Sequence, residues 1–302
     1  MKSPKIMVSP LQKSPHRLPL VTLTPAPGAV EATVVDADKF ATVLGTPVPY
    51  KTSACHPDYP PWKTFKLVVH VTDACPAACK FCRNMSKGAV LDMVKFKDDY
   101  QKMNEQVKIT EVLFTGGEPM LYWKKVKECL GFIKQSAVIH TMGINLHQID
   151  EPVHVSLSRH HWNHELNEEI IGAKLPKDYL TSYPTKHAMN FACNIIKGYV
   201  DNPADMRRVL DLAMDEGVKF VGFIGLLPVN DFCKENGTPP PELVGEDILK
   251  YRTFAYEDSC TCANYCYQRD GQVLPFYNRR CLSLGQGAAG RIVYKNGGIT
   301  SW

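Results

Sequence analysis

Between Phe65 and Leu227 the chain alternates short β-branched runs with amphipathic stretches of helical period, and no other feature narrows its fold as far. Parallel strands cannot be joined by tight turns. They need crossovers of a dozen or more residues, usually helices, so such alternation implies parallel βαβ units. Lys66-Leu67-Val68-Val69-His70-Val71 predicts a first strand, and Ile109–Thr115 a second. Ala137–Thr141, Val153–Ser158, His187–Ile196 and Val218–Leu227 predict four more. Helices are expected at Leu91–Val107, Trp123–Lys134, Asn163–Ile171 and Pro203–Glu216, the last stopped by Gly217. In the second of these, Val126, Leu130 and Ile133 share one face at spacings of three and four. The pattern reads as an α/β fold, a partial (β/α)6 TIM-like barrel over residues 63–230.

The flanks read differently. Residues 1–62 are rich in Pro, Thr, Ser and Val and predict an extended lead-in, with a short helix near Asp36–Val43. After Pro228 come a Pro-rich linker at 236–241, a helix near Glu246–Phe254 and a cysteine-rich tail from Cys260. In that tail Val293–Ile299 predicts a hairpin around Asn296-Gly297. Residues 231–302 are therefore expected to form a linker and a small C-terminal module. The 35 basic and 31 acidic residues are mixed along the chain, so no nucleic-acid partner is expected. The longest apolar stretch, Val221–Leu227, falls far short of the roughly 20 residues that span a bilayer. Met1–Lys5 lacks the apolar core of a secretory signal, so a cytoplasmic protein with no membrane partner is expected.

Eleven cysteines are many for 302 residues, and in a reduced compartment tight clusters of them point to metal or catalysis rather than disulfides. Cys75, Cys79 and Cys82 fall in one C-x3-C-x2-C loop directly after the first predicted strand. Three thiolates can hold three irons of a cubic cluster and leave the fourth iron open, whereas a structural zinc site normally closes its shell with four ligands. At the end of the second predicted strand stands Thr115-Gly116-Gly117-Glu118-Pro119. Alone it would be an ordinary turn; paired with the cysteine loop it is specific.

On these two motifs the sequence resembles the radical S-adenosylmethionine (SAM) superfamily from Phe65 to Pro228. The resemblance implies that Cys75, Cys79 and Cys82 ligate a [4Fe-4S] cluster whose open iron is chelated by SAM. It further implies that Phe81 lies near the adenine, that Gly116, Gly117 and Pro119 let backbone approach the methionine moiety, and that Glu118 helps fix its ammonium group. Ser156 and Ser158 match the strand whose hydroxyls face the cofactor, although alternating serines also suit a polar barrel interior. Asn194 and Ile196 match the next strand, and Ile224 to Leu226 the strand beside adenine; the apolar ones are core positions by default. The implied reaction is reductive cleavage of SAM to methionine and a 5'-deoxyadenosyl radical, which takes hydrogen from a substrate carbon.

The tail resembles the twitch and SPASM modules that carry auxiliary iron-sulfur clusters, through Cys262-x3-Cys266-x14-Cys281 with Cys260 and Cys233 nearby. Five thiols for at most four places leave one surplus, Cys260 or Cys233. A zinc knot and non-ligating thiols are the other readings. Cys55, Cys129 and Cys193 stand alone and read as buried small hydrophobes. His160, His161 and His164 follow the fourth predicted strand, as a metal group, a substrate-facing wall or a plain helix start.

Many twitch and SPASM enzymes edit ribosomally made peptides, so the resemblance implies a maturase with a flavodoxin or ferredoxin as electron donor. The lead-in is short for a peptide-recognition domain, which calls for a separate leader-binding protein. A small-metabolite enzyme is the alternative; the molybdenum-cofactor GTP cyclase shares the three-cysteine tail, but this chain lacks its arginine-rich site and terminal Gly-Gly. A non-catalytic metal-binding protein is the third reading, and the intact Gly116–Pro119 motif argues against it.

Overall fold

The computed structural model describes residues 40–49, 63–82, 88–181, 183, 189–251, 263–279 and 290–300. Six strands, β3 (Thr64–Thr72), β4 (Lys108–Gly116), β5 (Ser136–Thr141), β6 (His154–Ser158), β7 (Met189–Ile195) and β8 (Phe220–Gly225), pair in sequence order, each parallel to the next. The alternation read from the sequence is thus a mixed α/β fold built on a large parallel sheet.

The crossovers depart from six full units. Helices α1 (Met93–Gln106), α2 (Trp123–Leu130), α3 (His164–Ile171) and α4 (Pro203–Asp215) join four of the strand pairs. Between β5 and β6 there is only a 3-10 turn, Leu146–Gln148, where Gly143 and Asn145 take positive φ and break any longer helix. Helix α2 ends at Gly131, short of Lys134. Asn163 caps α3 by accepting from Leu166 N, and Asn202 caps α4 by accepting from Asp205 N ahead of Pro203 at the first helical position. Gly217, at φ 67°, follows α4 as expected.

Two predicted helices are strands instead. Near Asp36–Val43 the described part is β1 (Phe40–Val43), which turns through Leu44 and Gly45 onto antiparallel β2 (Thr46–Pro49). Thr42 and Val43 lose rotamer freedom in a helix, and the hairpin buries Ala41, Val43 and Val48. Near Glu246–Phe254 the chain forms β9 (Ile248–Tyr251), antiparallel to β10 (Ala263–Arg269). Helix α5 (Asp231–Asn236) follows β8 in the segment expected to be linker.

The described part of the tail joins the same sheet. An Asp270-Gly271 turn with positive φ at both residues folds β10 onto β11 (Gln272–Arg279), and β11 lies parallel to β8. At the other edge β12 (Gly290–Lys295) lies parallel to β3 and turns through Asn296-Gly297 onto β13 (Gly298–Thr300), the expected hairpin. The described tail strands therefore extend the six-stranded run on both sides to eight parallel strands, with β9, β10 and β13 outside them.

Alternate residues of these strands face opposite ways. On β3, Phe65, Leu67, Val69 and Val71 pack on the helix side among Phe96, Tyr100 and Met103 of α1, all buried. Lys66, Val68 and His70 point to the opposite face of the sheet. Strand β12 is tied to α1 by Tyr294, whose hydroxyl donates to Asp99 Oδ2 at 2.7 Å while Lys95 Nζ approaches the same oxygen at 2.7 Å. Tyr294→Phe removes one donor from a buried carboxylate and is expected to lower stability by about 1.5–3 kcal/mol. Denaturant unfolding checks this; an unchanged midpoint would exclude a holding role for the bond. No helix among the described residues is long and apolar enough to cross a membrane.

Candidate functional site

The cysteine loop leaves β3 at its C-terminal end and folds back under its own hydrogen bonds. Ala74 N donates to Thr72 Oγ1 at 3.0 Å, and Cys82 N to Cys79 O at 3.0 Å. The far side of the loop rests on the end of α3: Ala78 N donates to Ile171 O at 2.9 Å, and the Cys79 thiol points at the same oxygen at 3.3 Å. Gly172, at φ 65°, lies so close to Ala78 that an added Cβ would sit 3.0 Å from the Ala78 Cβ. Cys75 is exposed, while Cys79 and Cys82 are half-buried.

The second motif is fused to the root of this loop. Gly117 N donates to Thr72 O at 2.6 Å, and Glu118 N to Ala74 O at 2.8 Å. Gly116 sits at φ 126°, and a Cβ there would lie 2.2 Å from Thr72 O; a Cβ on Gly117 would lie 2.1 Å from Ala74 O. Only glycine fits either place. In this structure the space that the glycines leave open is filled by the backbone of the cysteine loop itself.

Glu118 turns inward. Its Oε1 accepts from Met120 N at 3.0 Å and from Thr141 Oγ1 at 2.7 Å, and its Oε2 accepts from Met142 N at 2.8 Å. Burial raises its pKa to about 7 despite these three donors. The side chain thereby caps the 3-10 turn Pro119–Tyr122 and ties the end of β4 to the end of β5.

The three thiols stand within electrostatic range of one another. Burial first, then the neighbouring Cys82 and Cys75, push Cys79 up to about 12, and burial also raises Cys75. At neutral pH such thiols stay protonated unless a cation compensates them, which is what a bound metal cluster does. Among the described residues no three His, Cys, Asp or Glu groups are gathered for a single metal ion. Three thiols carried on one loop are a donor set that fits such a cluster.

Several residues expected near the cofactor do come together. Phe81 packs against an apolar cluster of Ile170, Ile196, Leu226 and Cys233 beneath the loop. The Phe81 ring also meets His160 edge-on, centroids 5.0 Å apart. His160 in turn accepts from Asn194 N at Nδ1, 3.1 Å away, which links β6 to β7. Ser156 is buried and accepts from Asn190 Nδ2 at 3.0 Å; Ser158 is half-buried beside Ala192. Ile224 is half-buried, in register with Asn194.

The histidines do not converge on a metal: His161 Nδ1 accepts from Asn163 N at 2.9 Å, and His164 lies 3.3 Å from Glu168. Of the five cysteines grouped in the sequence, the two among the described residues, Cys233 and Cys266, lie apart. Cys233 stands by the first loop, its thiol 3.6 Å from Phe81 O, with Asn230 Nδ2 donating to Lys80 O at 3.0 Å. Cys266 is half-buried on β10, opposite Pro275 and Leu249. Cys55, Cys260, Cys262 and Cys281 lie outside the described residues. Cys129 and Cys193 are fully buried.

Sequence reasoning overlooked Asp73, one residue into the loop, whose buried carboxylate lies 2.9 Å from Lys295 Nζ of β12 and 3.9 Å from His70 Nδ1. The signal was an acid immediately before a cysteine loop; its partner, more than two hundred residues away, left none.

No family model and no curated protein matches the chain. Among solved structures it is similar to Streptococcus suis SuiB bound to precursor peptide SuiA, at 16% identity and a TM-score of 0.47 over 58% of this chain and 42% of that one. It is similar to a radical SAM methyltransferase from Sphaerobacter thermophilus, at 16% identity and a TM-score of 0.45 over 53% and 56%. It is also similar to anSMEcpe with bound AdoMet and Cp18Cys peptide, at 19% identity and a TM-score of 0.42 over 54% and 51%. The matched part thus spans about half the length of each of those chains or less.

Proposed function

We propose that this protein is a cytoplasmic radical SAM enzyme: Cys75, Cys79 and Cys82 hold a [4Fe-4S] cluster, and SAM binds its open iron. One observation carries the reading. The cysteine loop and the Gly-Gly-Glu-Pro turn stand at the C-terminal ends of neighbouring parallel strands, β3 and β4, and are hydrogen-bonded into a single unit. Reactive groups of α/β barrels gather at that end of the sheet.

When bound and reduced, the cluster would supply the electron that cleaves SAM to methionine and a 5'-deoxyadenosyl radical. The chain's own part is positioning. Gly116 and Gly117 fix the loop root, the apolar group of Phe81, Ile196 and Leu226 offers a dry wall for adenine, and Ser156, Ser158 and Asn194 present polar groups toward the lumen. We take the substrate to be a ribosomally made peptide, delivered by a separate leader-binding partner, with a flavodoxin or ferredoxin as electron donor. Cys260, Cys262, Cys266 and Cys281 are proposed as ligands of an auxiliary cluster. Cys233 is the surplus thiol of the five, because it lies by the first loop.

Anaerobically reconstituted protein given SAM and dithionite is expected to release 5'-deoxyadenosine and methionine in equal amounts. Protein that binds iron yet releases neither would refute the reading.

A further inference from the structure

A side chain of the tail reaches the root of the cysteine loop. On β12, Tyr294 packs on the helix side against Phe96, ring centroids 5.1 Å apart, and donates to Asp99 Oδ2 at 2.7 Å. Successive side chains of a strand point to opposite faces, so the next residue, Lys295, leaves from the other face, the one that carries His70 of β3. Its Nζ comes to 2.9 Å from Asp73 Oδ1. Both partners are desolvated, with 21% of the Lys295 side chain and 3% of the Asp73 side chain exposed. Asp73 Oδ1 is buried and makes no hydrogen bond, so charge holds the pair.

No other permanent cation pairs with Asp73 among the described residues. His70 Nδ1 lies 3.9 Å away, and burial first, then Lys295, lowers its pKa against the pull of Asp73, so this imidazole is neutral at pH 7 and does not stand in for the lysine. Asp73 sits between Thr72 and Ala74, whose carbonyls accept from Gly117 N and Glu118 N, and two residues before Cys75. A buried carboxylate left bare at that place would repel the thiolates that a cluster needs, and opening the loop to water would relieve its burial. Lys295 removes both effects and ties the loop root to an outer strand.

We propose that Lys295 is a positioning residue for the cysteine loop: paired with Asp73, it holds the loop root closed and offsets the carboxylate, so that the tail completes the site of the first cluster. The role rests on the reading of Cys75, Cys79 and Cys82 as cluster ligands. It does not depend on the tail cysteines binding a metal.

The test alkylates metal-free, full-length protein with iodoacetamide and follows Cys79 and Cys266 separately by peptide mass spectrometry. Both thiols are half-buried, one in the loop and one on β10, toward the other edge of the sheet from β12. Lys295→Met is expected to raise the rate at Cys79 by about tenfold, because opening of the loop is a local event, and to leave Cys266 unchanged. Lys295→Arg keeps the charge and is expected to stay close to wild type. Reconstituted Lys295→Met is expected to lose iron to a chelator about tenfold faster than wild type, the scale on which outer partners of a metal site act. An unchanged Cys79 rate, an equal rise at Cys266, equal iron loss or no rescue by arginine would each overturn the proposal. If Lys295→Met does not fold, combining it with Asp73→Asn leaves no bare charge buried. The folded double variant must then show the same selective rise at Cys79, and wild-type reactivity there overturns the proposal equally. Release of 5'-deoxyadenosine by wild type reads the underlying function separately. Its absence, with the thiol pattern as expected, would sink the radical SAM reading and leave the positioning of the loop standing.

Discussion

Protein in which Cys75, Cys79 and Cys82 are all alanine is expected to yield no 5'-deoxyadenosine above background with SAM and dithionite, and each single replacement is expected to come close to that loss. The three thiols sit on one loop, and that loop carries no fourth thiol to replace a missing ligand. Cys233 is the thiol to watch, because it lies near Phe81 O on the adjoining α5 and could hold part of the activity in a Cys82 variant. Iron analysis accompanies the assay. If two cubic clusters are present, wild type approaches about eight irons per chain and the triple variant about half. Undiminished cleavage by the triple variant would remove the basis of the functional reading.

Gly117→Ala is expected to be among the most damaging single replacements outside the cysteines. The new methyl would lie 2.1 Å from Ala74 O, and that oxygen cannot retreat because it accepts from Glu118 N at 2.8 Å. Overpacking costs typically 1–3 kcal/mol, and a fixed backbone neighbour puts this case near about 3. For a chain of this size that corresponds to a fall in Tm of roughly 6–12 °C. Gly116→Ala adds the strain of φ 126° to a similar clash. Gly198→Ala is the control, since Gly198 also has positive φ but nothing within 4 Å of its absent Cβ. Equal effects at 116 and 198 would show that the close approach to Thr72 O adds nothing to the strain of positive φ.

The six strands were legible because each keeps its apolar residues on a two-residue period or in a short continuous run, as Phe65, Leu67, Val69 and Val71 do. The cysteine loop and the Gly-Gly-Glu-Pro turn were legible as motifs, and their neighbouring places followed from the strand order. What Gly117 touches was not, because a glycine records only that something is near. The missing helix between β5 and β6 was signalled by Gly143 and Asn145, which the regular pace of alternation overrode. Ile248 to Tyr251 became a strand through pairing with β10, a contact that local propensity does not encode. The Arg291, Lys66 and Glu111 neighbourhood was hidden for the same reason: these residues meet only once β12, β3 and β4 lie in register.

The pairing of β12 with β3 sets an order on biosynthesis. Tyr294 lies opposite Val69, so the strand that launches the cysteine loop gains its outer neighbour only after residues near 290 have left the ribosome. Until then β3 presents an unpaired edge, and Asp73, at the root of the cysteine loop, lacks the ammonium of Lys295. Contacts of such long sequence separation form slowly and leave partly folded chains open to association. A nascent chain of this kind is best served by a chaperone that shields the β3 edge through translation.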